Sequence, residues 1–407
     1  MSYIYSNKIQ YEDSSNLDAF GRLRTSNVTS LLEYKHTHDK LSLIIDEVVS
    51  GAGATSSFNP TYSEVNMSVT NNNEYVIRQG KSRGIYQPGK GQIIETSFSN
   101  FSLETNVIKR VGYFTSTSVA PYNSTFDGIF LESNGVTNTI SFQIWSSGTN
   151  ILTSNTTSWL TTDYDVSLID WDKTQLMTID FQWLGVGRVR FGLVIDGLFK
   201  LFATNSGSNN LFNVYMKSPN QPIRYEIRSS GGSGSFNMIC AQISLEGTIN
   251  NLQKSVFIDN FTARTLATAG TKYPLIGYRI NTNYSGTNIT LSDIQTLNIT
   301  SPSKADFYVT VELNPVLSAT PAFNNITNSA VDYALGTGAQ TVTTSGHRIA
   351  GFLGSGAAIQ VDSFEFKDNV LRPGIKINGT QDEVWICIVA SLNNQDLRTA
   401  INLSYFE

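Results

Sequence analysis

Apolar and polar residues alternate in short runs along almost the whole chain. "SEVNMSVT" (63–70), "GQIIETSF" (91–98), "TISFQIWS" (139–146), "PIRYEIRS" (222–229) and "EVWICIVAS" (383–391) are examples. A period of two places successive side chains on opposite faces of a pleated strand. Gly, Asn, Asp and Ser clusters separate the runs and supply turns. No heptad, internal repeat or amphipathic helix of useful length interrupts the pattern. Many strands at short intervals predict an all-β protein, built as tandem antiparallel β-sandwiches of jelly-roll or lectin-like kind with an extended N-terminal arm.

The stretch "IDFQWLGVGRVRFGLVIDG" (179–197) tests this reading, because Gly185, Gly187 and Gly192 could belong to a phosphate-binding loop. A dinucleotide fingerprint needs G-x-G-x-x-G opening a helix. Here the spacing is wrong, and the residues beyond the glycines alternate. Val189, Phe191, Leu193 and Ile195 share one face, and Arg188, Arg190 and Gly192 the other. The pattern predicts a hairpin turned at Leu-Gly-Val-Gly and a second turn at Asp196-Gly197. Phe181, Trp183, Phe191 and Leu193 should face a core, with a positive φ at Gly185 or Gly187. Arg188 and Arg190 should face solvent or a neighbouring subunit.

The runs divide the chain into an N-terminal arm and attachment segment (1–55), a first sandwich (56–255) and a second (256–407). "GAGATSS" marks the first boundary, and residues 251–258 read as a connector.

Composition sharpens the class. Of 407 residues only 15% are charged, while 40% are hydrophobic and 11% aromatic. Ser, Thr, Asn and Gly fill the gap and disfavour helix interiors. The net charge of −5 argues against a nucleic-acid partner, which requires a basic face. No apolar run approaches a membrane span, and "MSYIYSNKIQ" lacks the pattern of a secretory signal. N-x-[ST] triplets at Asn27, Asn155, Asn260 and Asn402 are then the chance product of an Asn/Ser/Thr-rich chain. Cys240 and Cys387 sit in separate apolar runs and read as two buried thiols.

Candidate chemistry is sparse. His36 and His38 in "KHTHDK" would share one face of a strand and could ligate a metal. A third ligand would be needed, His347 is distant, and exposed polar positions are the simpler reading. Asp163, Asp165, Asp170 and Asp172 cluster in "TTDYDVSLIDWDK". Their oxygens could hold calcium, but the glycine and terminal glutamate of an EF-hand loop are missing, so a solvated acidic loop is expected. Glycoside hydrolysis needs two carboxyls across the sugar, and no second signal supports it. The tryptophans, Trp145, Trp159 and Trp183 among them, lie in apolar runs and suit core packing better than sugar stacking. No nucleophile elbow, P-loop or zinc-protease motif occurs. No catalytic residue, cofactor or metal is assigned.

Several segments nevertheless resemble a family. "DAFGRLRTSN" (18–27), "IYQPGKGQII" (85–94), "KRVGYF" (109–114), the 179–197 hairpin and "PNQPIRYEI" (219–227) are similar to segments of virion structural proteins of tailed bacteriophages and other large DNA viruses. "FYVTVELNPVLS" (307–318) and "NSAVDYALGTG" (328–338) extend the similarity. Thr25 stands where valine is common, and Gly91 where serine usually follows the lysine. The resemblance implies a particle-exterior component: capsid decoration, head fibre or tail-associated protein. It implies a homo-oligomer, often a trimer, with other virion proteins as partners and no agreed catalytic site. A host-surface glycan adhesin on the same scaffold is the alternative, and a polysaccharide depolymerase a more distant one. Phe20, Arg22 and Arg24 are then expected to dock the arm on the particle or a neighbour, since guanidinium forks suit such interfaces. Arg188 and Arg190 would add to that surface. Removing residues 1–27 should leave the sandwiches folded.

Overall fold

The computed structural model describes residues 17–161, 164–249, 254–262, 264–282, 292–354, 362–364 and 373–405. The chain divides into two compact units. The first comprises residues 1–80 and 86–250, the second 81–85 and 251–407. Both are all-β, and no helix among the described residues is long and apolar enough to cross a membrane.

The strands of the first unit are β1 (Val28–Lys35), β2 (Ile45–Ser50), β3 (Thr55–Asn59), β4 (Glu64–Val69), β5 (Tyr75–Gly80), β6 (Gln92–Ser99), β7 (Val107–Thr115) and β8 (Asp127–Asn134). They continue as β9 (Thr139–Ser146), β10 (Thr149–Asn155), β11 (Gln175–Phe181), β12 (Arg188–Ile195), β13 (Leu198–Ser206), β14 (Ile223–Ser229) and β15 (Gly234–Glu246). One antiparallel sheet runs β13-β12-β11-β6-β15-β4-β3, and the other β10-β9-β8-β7-β14-β5-β2. The long β15 pairs with β6 along one edge. Along its other edge it pairs with β4 at residues 234–238 and with β1 at 240–246. Thus β1 and β2, from the segment expected to be an arm, are strands of the two sheets.

The two inner faces make one core. Ile94, Phe98, Ile179, Phe181 and Phe191 from the first sheet meet Val111, Tyr113, Phe142 and Tyr225 from the second. Phe142 stacks on Phe191 with ring centroids 4.4 Å apart. This is why strands with period two form here: each buries one apolar row against the facing sheet.

The 179–197 stretch is the hairpin β11–β12, paired Phe181 to Val189 through Met177 to Leu193. Phe181, Phe191 and Leu193 are fully buried, and Trp183 is half-buried against the same core. Leu184 and Gly185 take φ of +36° and +81°. Gly187 has an ordinary φ and serves differently: a Cβ there would sit on the carbonyl oxygen of Gln182. Asp196 and Gly197, at φ +52° and +76°, make the turn into β13.

The second unit is also two packed sheets. One centres on Lys272–Ile280, Glu383–Ala390 and Phe307–Leu313, the other on Gln395–Tyr405 and Ser292–Thr300. Val309, Val311, Ile386 and Ile388 from the first meet Ile294, Leu297, Ile401 and Leu403 from the second.

Candidate functional site

The resembling segments of the first unit are distant in sequence but meet in space. "DAFGRLRTSN" begins as a tight turn. Asp18 Oδ1 accepts from the amides of Phe20 (2.9 Å) and Arg22 (2.8 Å), and Oδ2 from Arg22 Nε (2.5 Å). Gly21 supplies the left-handed residue at φ +76°. This turn lies against the outward face of the first sheet. Gln182 Nε2 donates to Asp18 Oδ2 at 2.9 Å, and Arg190 donates to the carbonyl of Leu17.

Arg22 Nη2 reaches the carbonyl of Gly89 in the "YQPGKG" segment at 3.3 Å. Tyr86 of that segment packs on Trp183 at 5.9 Å, and its hydroxyl accepts from the Leu184 amide at 3.2 Å. The Tyr86 amide donates to Asn220 of "PNQPIRYEI" at 2.9 Å, and the Tyr113 hydroxyl of "KRVGYF" donates to Pro219 O at 2.7 Å. Five separate segments therefore form one clasp.

Its charges are spent on one another. Arg190 Nε donates to Asp180 Oδ2 at 2.9 Å, and the two residues are direct partners in the β11–β12 ladder. Arg24 bridges Asp180 (2.5 Å) and Glu246 (2.8 Å). Arg22, Arg24 and Arg190 thus balance Asp18, Asp180 and Glu246. Burial raises the Asp18 carboxyl, but the Arg22 and Phe20 amides and the Arg22 side chain outweigh it and hold it below its usual range. At Glu246 burial dominates, and its carboxyl stays above its usual value despite the field of Arg24.

This placement corrects the sequence reading of Arg190. Alternation assigned it to the face away from the core, and that is where it lies. The face is not open, because residues 17–24 cover it, and Arg190 is only 1% exposed. Arg24 is likewise mostly covered, with 16% of its side chain accessible. Arg188 is half-buried at the start of β12. Phe20 and Arg22 do point outward, 44% exposed for the residue and 56% for the side chain, with the guanidinium 5.7 Å from the ring centroid.

The histidine pair fares differently from expectation. β1 ends at Lys35, so His36 and His38 are not on a strand. His38 is exposed, but His36 is fully buried. Its Nδ1 lies 2.7 Å from Ile239 O and its Nε2 3.3 Å from Arg78 Nη2. A neutral ring with its proton on Nδ1 satisfies both contacts. Burial, reinforced by Arg78 against the pull of the Ile239 carbonyl, lowers the pKa of the imidazole. His347 is exposed in the second unit.

In the acidic stretch, Asp163 lies outside the described residues. Asp165 caps the short turn Val166–Leu168 by accepting from the Ser167 amide at 3.0 Å. Asp170 pairs with Lys173 at 3.3 Å, and Asp172 accepts from the Ser102 hydroxyl. Asp165 and Asp170 serve local turns, whereas Asp172 reaches the distant Ser102. Among the described residues no group of three His, Cys, Asp or Glu side chains could hold a metal. Trp159 is buried and Trp145 half-buried among Phe126, Phe114 and Phe130. Cys387 is buried, whereas Cys240 is only half-buried, and both are free thiols.

Sequence reasoning missed one feature. On the outward face of β14, Arg224, Glu226 and Arg228 are buried and form a network with Arg110 and Glu132. Arg224 and Arg228 also donate to the carbonyl of Tyr122, which lies over that face. Burial opposes ionisation of Glu226, but the three arginines overwhelm it and hold its carboxyl far below the usual range. The plus-minus-plus alternation in "IRYEIRS" was the available signal.

No family model matches the chain, and no curated protein matches it. Solved structures do. Bacillus licheniformis β-glucanase matches at 11% identity and TM-score 0.36, over 53% of this chain and 98% of the enzyme. The exoplasmic/lumenal domain of VIP36, bound to Ca2+ and Man3GlcNAc, matches at 10% identity and TM-score 0.36, over 54% and 90%. A protein of unknown function from Shewanella oneidensis matches at 11% and 0.37, over 58% and 94%.

Proposed function

We propose that the protein is a non-enzymatic structural component of a virus particle, displayed on its exterior as capsid decoration, head fibre or tail-associated protein. It assembles as a homo-oligomer, in the simplest case a trimer, and contacts other virion proteins. The observation that carries this reading is the clasp. The segments that resemble virion proteins come together, and their charged groups neutralise each other instead of being left free for chemistry. Asp180 is gripped by the guanidiniums of Arg24 and Arg190 and holds the clasp together. The outward-facing Phe20 and Arg22 are what the arm offers to a neighbour.

Two measurements test the reading. Washed, purified particles from the producing host should contain the chain in fixed stoichiometry by quantitative mass spectrometry; its absence would refute the proposal. Phe20→Ala should leave the isolated chain as stable as wild type but lower its incorporation into particles. Undiminished incorporation would remove the arm from the attachment role.

A further inference from the structure

The outward face of the first sheet is not wholly covered by the clasp. Beside it lie two adjoining cavities, of about 220 and 310 Å³. Glu95, on the central strand β6, lines both. The first is bounded by Thr178 and Asp180 of β11, Val194 of β12 and Phe199 of β13. The second continues past Leu176 and Cys240 to Glu33 and Lys35 of β1. Together they cross from β13 through β12, β11, β6 and β15 to β1. At about 4.8 Å per strand step, that is a groove roughly 24 Å long.

Its polar groups are unusual for a sheet surface. Thr178 and Asp180 are 8% and 2% exposed, yet the Thr178 hydroxyl and Asp180 Oδ1 have no hydrogen-bond partner among the described residues. Met177 and Ile179 face the core, so Thr178 and Asp180 are directed outward, into the groove. Buried polar atoms are nearly always paired, and an orphaned pair in a cavity calls for an outside partner. The Glu95 carboxylate makes no hydrogen bond or ion pair among the described residues, although its backbone is paired in the ladder. Burial raises its pKa, and the field of Arg24 only partly opposes this.

The chemistry of the lining selects the occupant. β6 is hydrogen-bonded to β11 on one side and β15 on the other, so the ladder has no amides left to hold an added strand. A ligand meets side chains only. Carboxylates accept but do not donate, so the ligand must bring donors. It must not bring negative charge: Arg24 and Arg190 are already committed to Asp180, and Lys35 is offset by Glu33 on the same strand face. Ile93, Val194, Phe199 and Leu176 supply apolar wall. We propose that this groove binds a neutral, hydroxyl-rich linear polymer, a polysaccharide, laid across the strands with Glu95 at its centre.

Affinity electrophoresis of the isolated chain in native gels tests this, using mixed-linkage glucan and galactomannan as neutral polymers and polygalacturonate as the anionic one. A neutral polymer should retard the protein and polygalacturonate should not. Glu95→Ala should weaken retardation about tenfold, the effect of losing a hydrogen bond to a charged group. Leu176→Trp, which fills the groove from a half-open position, should weaken it similarly. Circular dichroism confirms that each variant is folded. The bound polymer should also slow alkylation of Cys240. Absence of retardation by both neutral polymers, stronger retardation by polygalacturonate, or unchanged retardation in both folded variants would overturn the proposal. None of these outcomes bears on incorporation into particles, which is measured separately.

Discussion

Replacing Arg24 by Met keeps most of the side-chain volume and removes the charge that joins Asp180 to Glu246. Asp180 retains Arg190, so one of the two carboxylates keeps a counter-charge. Glu246, whose side chain is 11% exposed, keeps only the Gly91 amide at 3.1 Å. Removing one partner of a buried pair costs about 3–5 kcal/mol, and the surviving Arg190 contact puts this case near the lower end, about 3 kcal/mol. In a unit of this size that corresponds to a fall in melting temperature of roughly 6–12 °C. The loss should depend on pH with a definite sign. The folded-state pKa of Glu246 is already raised, so its ionised form disfavours folding as pH rises above the ordinary carboxyl range. Without Arg24 that penalty deepens at pH 7, whereas near pH 4 a protonated Glu246 needs no counter-charge. The assay is thermal unfolding of wild type and Arg24→Met at both pH values, with hydrogen exchange of peptides covering 17–27. A loss below about 1 kcal/mol at pH 7, or an equal loss at the two pH values, would refute the reasoning.

Other outcomes follow from the same structure. Removing residues 1–27 should destabilise the first unit, since Asp180 and Glu246 lose Arg24; unchanged melting of the truncated chain would contradict the clasp. Gly187→Ala should cost more than Gly185→Ala, because the new methyl overlaps the Gln182 carbonyl, while at Gly185 it adds a tight 3.0 Å contact with the Val214 side chain to the roughly 1 kcal/mol of a left-handed residue. Chemical denaturation of the two variants ranks them. Acidification should remove stability in two ranges, with the raised Glu246 and Glu95 carboxyls contributing in the opposite sense. His36, with its lowered folded pKa, contributes loss as pH drops below its usual 6.5, and Glu47 and Glu226, also lowered, as pH drops below 4.5. His36→Gln should abolish the loss in the upper range in a pH series of denaturant midpoints. Cys387, whose thiol burial pushes far up, should resist thiol reagents until the chain unfolds.

The alternation of residues 179–197 was enough to place the hairpin, its second turn and its core row, because one face of each strand must enter an apolar interior. It could not say what lies over the other face. Alternation set Arg190 toward solvent or a neighbouring subunit and made no assignment for Glu226; both are buried, under the 17–24 turn and the Tyr122 segment respectively. Such covering is a long-range event: Leu17 and Arg190 are joined across 173 positions, and no local period records it. His36 was misread for the same reason, since its partners Ile239 and Arg78 come from remote strands. The groove around Glu95 was equally illegible, because its walls come from separate strands and Glu95 alone is an ordinary polar strand residue. The plus-minus-plus order in "IRYEIRS" was the one local signal of the network on β14, and the sequence reading did not use it.

The pairing of β1 with β15 sets a timetable for synthesis. Val28 faces Glu246 in that ladder, so the first strand of the unit waits for its last. At about 5–20 residues per second, roughly 10–45 seconds separate their emergence from the ribosome. During that interval β6 has its β11 partner available, but its other edge stays unpaired, and β4 has only β3. Unpaired edges and slow non-local closure are the conditions under which nascent β-proteins associate wrongly. A ribosome stalled before residue 234 would therefore hold a chain able to make its local hairpins and unable to close its sandwich.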